Sequence, residues 1–86
     1  MTQQATFTRR AVRDCQRIGV DEDEARDVLD SPDYVRESPD PGDPETVFVY
    51  SVRGVDQDLA LVVTWQQLAD RRLVRRVSLL RRDEFA

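Results

Sequence analysis

The side chains best equipped for chemistry in this sequence are arginines. All 13 basic residues are arginine, set against 17 Asp and Glu, and there is no histidine. A guanidinium is a planar, permanently charged fork that fits phosphate or carboxylate, and it cannot serve as a general base at neutral pH. Cys15 falls on the apolar stripe of a predicted helix with no histidine to activate it, so it reads as a packed, inert thiol. The three glycines are too scattered to cradle a phosphate. With one cysteine and no histidine, a zinc-type centre lacks ligands, and the carboxylates of Asp21 to Glu24 lack the glycine-placed spacing of a calcium loop. No metal and no cofactor is expected.

What remains is a set of polar side chains on alternating segments. Residues 47–53 and 59–66 alternate and are rich in β-branched and aromatic residues, with 54–58 reading as a hairpin loop. Projected onto two faces, Phe48, Tyr50 and Val52 join Leu59, Leu61, Val63 and Trp65, and then Leu73, Val77 and Leu79, on one apolar face. The other face then carries Val49, Ser51 and Arg53, Val62, Thr64 and Gln66, and Arg76, Ser78 and Arg82. Hydroxyls, an amide and guanidinium groups on one surface are what phosphate contact requires. Arg53, Gln66 and Arg76 are the expected catalytic set, converging on one phosphate, with Ser51, Thr64, Ser78 and Arg82 binding substrate. A polar outer face is also the default for a one-sided antiparallel sheet, so the site depends on those residues sharing a face.

Two helices are predicted ahead of these strands. Phe7, Ala11, Cys15 and Ile18 follow helical spacing, with Thr6 or Thr8 as cap and Gly19 as the stop. The second helix opens at Asp21 with Glu24 three residues on, a capping-box-like pair, buries Ala25, Val28 and Leu29, and stops at Ser31-Pro32. All four prolines lie in residues 31–46, which reads as an irregular loop. Residues 68–82 fit a helix or a strand: Ala69, Leu73, Val74, Val77 and Leu80 line one helical face, whereas two strands alone leave a poorly covered sheet. The strand is taken. The expected fold is α+β, two N-terminal helices on one face of a three-stranded antiparallel sheet.

Eighty-six residues enclose one modest core, so a single domain spanning 1–86 is expected, and 40% hydrophobic against 35% charged residues is a composition that folds. Residues 1–46 hold 6 Arg and 12 acids, a balance of −6, and residues 47–86 hold 7 Arg and 5 acids, a balance of +2. The total of −4 argues against generic, high-affinity nucleic-acid binding, while the asymmetry fits a polyanion on one side and a cationic partner on the other. Nothing resembles a signal peptide or a membrane span, and one unpaired cysteine suits a reducing compartment, so a cytoplasmic location is expected.

Several strings resemble a known group. Phe7-Thr8-Arg9-Arg10-Ala11, then Ile18-Gly19-Val20-Asp21, then Val28-Leu29-Asp30-Ser31-Pro32 look like the uncharacterised family related to the BrnT toxins. Arg10 stands where that pattern has histidine. Thr8-Arg9-Arg10-Ala11 with Val77-Ser78 is also similar to the motility quorum-sensing regulator toxins. Both belong to the RelE-like class, and the resemblance spans roughly residues 7–82. It implies a helical pair on one face of an antiparallel sheet and messenger RNA cut at the other, with activity silenced by a bound antitoxin. The expected function is therefore that of a toxin-like, metal-independent endoribonuclease or a toxin-derived protein. The competing expectation is a non-catalytic interaction module of a mobile element or phage, holding a basic protein partner through its acidic helix and loop.

Overall fold

The computed structural model describes residues 4–85 of the chain. Along it run β1 (Ala5–Phe7), α1 (Arg9–Ile18), α2 (Glu22–Asp30), β2 (Tyr34–Asp40), β3 (Asp43–Gly54), β4 (Leu59–Gln67), β5 (Arg72–Arg81) and the single turn α3 (Arg82–Phe85). The protein is α+β, with the strands in the order β1-β5-β4-β3-β2.

Local chemistry sets the helix ends. Thr8 is extended and its hydroxyl accepts the Ala11 N–H, while Gly19 takes the left-handed conformation at φ 74° and returns its N–H to Cys15. The first helix thus begins at Arg9, two residues later than its apolar spacing implies, because Ala5–Phe7 pair with β5 as a parallel strand. Asp21 caps α2 by position, but its side chain makes no capping bond. Neither helix exceeds ten residues, too short to persist in water alone, so both depend on burying an apolar stripe against the sheet. Ala11 and Cys15 from α1 and Ala25, Val28 and Leu29 from α2 enclose Leu61, Val63, Val74 and Val77. Truncating Leu61 to Ala in this core costs roughly 3 kcal/mol. Arg26 ties α2 to β1, donating to the Ala5 carbonyl at 2.7 Å with its guanidinium 4.8 Å from the centre of the Phe7 ring.

The sheet has five strands rather than three, and it is mixed rather than purely antiparallel, because β1 joins β5 in parallel. Residues 31–46 are not an irregular loop. They form the edge strand β2, a two-residue turn at Pro41-Gly42 and the start of β3. Proline is tolerated at a sheet edge and at the first residues of a strand, which is where Pro39 and Pro44 stand, and the pairing shifts between Pro39 and Asp40. Residues 72–81 are a strand, as the coverage argument requires.

The phase of β3 is also the reverse of the one expected from its apolar residues. In the β3–β4 hairpin Arg53 lies opposite Leu61, Ser51 opposite Val63 and Val49 opposite Trp65. Those three residues of β3 therefore share the helix-covered face with the core of β4, and Phe48, Tyr50 and Val52 lie on the open face with Val62 and Thr64. A second irregularity sits in β5. Thr64 pairs with Arg76 but Trp65 pairs with Val74, so Arg75 is an extra residue, and Val74 rather than Leu73 turns into the core.

Candidate nucleic-acid interface

The β3–β4–β5 register brings a new set of side chains together on the face away from the helices. Successive rows across the sheet read Arg36, Tyr50, Thr64, Arg76, then Tyr34, Val52, Val62, Ser78, then Gly54, Ala60, Leu80. Val52, Ala60 and Val62 are 2 to 3% exposed, shielded by Tyr50 and Leu80, so the middle of this face is a second small apolar cluster. Polar-out alternation fails here: both faces of the sheet are apolar at the centre.

Arginines surround that cluster. A cleft of about 410 Å³ is lined by Phe48, Tyr50, Thr64 and Ser78 of the sheet and by Arg10, Arg75 and Arg76. Arg10 reaches it from α1, which runs along the free edge of β5 where β1 has ended; there Thr8 donates its N–H to Val74 and its hydroxyl to the Arg75 carbonyl. The bulge carries Arg75 over the Phe48 ring at 5.9 Å. Arg10, Arg75 and Arg82 form no ion pair among the described residues, so these charges are available to a ligand.

Arg76 is held differently. Its Nε donates to Asp14 Oδ2 at 2.9 Å, and the same oxygen accepts the Val77 N–H at 3.1 Å. Asp14 is 3% exposed and occupies the β5 edge in place of a neighbouring strand. Burial pushes its carboxyl up, but the Val77 N–H, the bond and charge of Arg76 and the charge of Arg17 outweigh it, leaving the group below its ordinary 3.8. The carboxylate thus stays charged and fixes the guanidinium of Arg76, a residue that lines the cleft.

The residues singled out in the sequence divide accordingly. Thr64, Ser78 and Arg76 line the cleft. Gln66 follows on the same strand but borders a separate hollow with Glu37, Glu45 and Val47. Arg82 belongs to the open face at its far end, beside Gly54 and Ala60. Arg53 and Ser51 lie on the opposite face: Arg53 pairs with Asp27 of α2 at 3.5 Å, and buried Ser51 accepts the Trp65 indole N–H at 2.9 Å. Arg53, Gln66 and Arg76 therefore do not converge on one point. The physical reason is the hairpin phase, since a one-residue change exchanges the two faces of β3. The sequence projection overlooked Arg10, Phe48, Tyr50 and Arg75. The available signal was the loop itself, because pairing Gly54 with Ala60 places Val52 opposite Val62.

On the other side, the acidic helix spends part of its charge internally: Asp27 meets Arg53, and Asp30 meets Arg72 at 3.1 Å. Cys15 is buried in the core, and burial, with Glu22, Asp14 and Asp21 adding to it, pushes its thiol above the ordinary 9.0. Such a thiol is a poor nucleophile. Among the described residues no group of three carboxylate or cysteine side chains could hold a metal ion, and no helix is long and apolar enough to cross a membrane. Comparison with protein-family models, with curated proteins and with solved structures gives no match for this chain.

Proposed function

We propose that the protein binds single-stranded RNA on its open sheet face, as a toxin-type or toxin-derived protein of the RelE-like class. The observation that carries this is the cleft in which Phe48 and Tyr50 stand among Arg10, Arg75 and Arg76. Aromatic rings stack on unpaired bases, and guanidinium forks take phosphate oxygens. Thr64 and Ser78 add hydroxyls suited to the ribose 2′-OH. Helices on one face and an open, cationic opposite face are also what the resemblance of residues 7–82 implies.

Cleavage is the finer part of the proposal. In it the 2′-hydroxyl attacks the adjacent phosphorus, the 5′ oxygen leaves, and Arg75 and Arg76 take up the charge that builds on the phosphorane. The leaving oxygen receives its proton from the Tyr50 phenol and the 2′-hydroxyl loses its own to water. Tyr50 lines this cleft, and its phenolic O–H can donate a proton where the arginines cannot give one up. Water is a weak general base, and none of the side chains lining the cleft replaces it, so the arrangement supports slow cleavage.

Fluorescence anisotropy with a labelled single-stranded RNA tests binding. Replacing Phe48 or Tyr50 by Ala should weaken binding about tenfold, in line with ~1–3 kcal/mol per stacked base. Unchanged affinity in both variants would remove the interface. On the same RNA, Tyr50→Phe should retain binding and lose cleavage; undiminished cleavage would exclude the phenol's role.

A further inference from the structure

The open face carries a second cleft, of about 430 Å³, at the other end of β3. Its floor is Val52 and Ala60, both almost fully buried, and its rim carries Asp33, Tyr34, Arg36 and Arg82. Gly54 shapes it. A Cβ at that position would collide with the Arg82 guanidinium, so the missing side chain is what lets Arg82 lie across the strand. Asp33 steadies the same spot, its Oδ2 accepting the Gly54 N–H at 2.7 Å.

An apolar floor, a phenol 43% exposed and the Arg82 guanidinium, with the Asp33 carboxylate already taken by the Gly54 N–H, suit a flat base with an attached phosphate. A purely apolar ligand would leave the Arg82 charge unused, and a carboxylate alone would leave the apolar floor uncovered. Resting on the RNA reading above, we infer that this second cleft is a nucleotide subsite, and that one strand crosses the face from Phe48 to Gly54. The six residue-to-residue steps of β3 from Phe48 to Gly54 span about 20 Å. Tyr50, whose partner across the strands is Arg36, sits between the two clefts and bridges them.

Graded single-stranded oligouridylates, from two to ten nucleotides, test this by anisotropy. With wild type, affinity should rise with length until both clefts are filled and then level off. Arg82→Ala should weaken the long oligonucleotides about tenfold, the worth of a charge-assisted contact, and leave the dinucleotide unchanged. Gly54→Ala should reproduce that pattern, because the displaced group is the mobile end of a side chain and the fold survives; equal thermal midpoints confirm it. If wild-type affinity does not change with length, or if both variants bind long strands normally, the second subsite does not exist while the first cleft stands. If wild type binds no length at all, the RNA reading falls and this inference with it.

Discussion

Asp14 shows how much one side chain can decide. In sequence it is an acid among arginines on a helix, indistinguishable from a solvated one. In the fold it is buried, closes the open edge of β5 and orients Arg76 toward the cleft. Its carboxyl lies below 3.8 in the folded state, so the stability it contributes is complete above its unfolded value near 3.9 and is lost as pH falls through the folded value. Asp14→Asn should cost about 2 to 3 kcal/mol in urea unfolding at pH 7. Below about pH 4 the gap between variant and wild type should narrow, since only the wild-type residue still gains a proton there. A gap independent of pH would contradict the assignment. Its polar type marks Ser51 as a substrate-binding residue in the sequence, whereas in the fold it is the buried acceptor of the Trp65 indole N–H. Ser51→Ala leaves that N–H unpaired and should cost about 1 to 2 kcal/mol, with little effect on RNA binding. A lost interface with unchanged stability would reverse that reading.

At the scale of elements, the helices were legible because their signals are local. Thr8 and Gly19 bracket α1 in the sequence as in the fold. Gly19 has open space around it and φ 74°, so Gly19→Ala should cost about 1 kcal/mol through backbone strain alone, read from the urea midpoint. A stabilised Gly19→Ala protein would exclude the left-handed stop. The strand identity of residues 72–81 was reachable only through the need to cover the sheet. The phase of β3 is legible from the length of the hairpin loop but not from apolar pattern, because Phe48, Tyr50 and Val52 are more apolar than Val49, Ser51 and Arg53, yet it is the latter set that faces the helices. Apolar pattern identifies a face only when one face is wet, and here Val52, Ala60 and Val62 bury on the open side too. β1 escaped notice because three residues are too few to show alternation, and β2 because its prolines resemble a loop. The acidic first turn of α2 lies on the helix side, away from the proposed interface. Reversing Glu22 and Asp23 to Arg should leave RNA affinity at 0.15 M salt within about twofold, since charges beyond a Debye length are screened. A large gain or loss in that variant would place the strand on the helix side.

The molecule as a whole separates its charge. The sum of −4 is dominated by the acids of α2 and the loops, while Arg10, Arg36, Arg75 and Arg82 stand around the open face. Net charge therefore misjudges the local field that a polyanion meets at that face. Only a few phosphates can be contacted there, so the slope of affinity against salt should be shallow, near −0.7 per neutralised phosphate on a single strand, or about −2 to −3 in all. A slope close to zero would mean that the arginines do not meet phosphate. NMR titration of labelled protein with a short single-stranded RNA locates the bound strand most directly. The ring protons of Phe48 and Tyr50 and the methyl groups of Thr64 and Leu80 should shift in a saturable manner, while the Trp65 indole and the methyl groups of Val28 and Leu29 stay in place. Shifts confined to the helix side, or none at saturating RNA, would contradict the proposed interface.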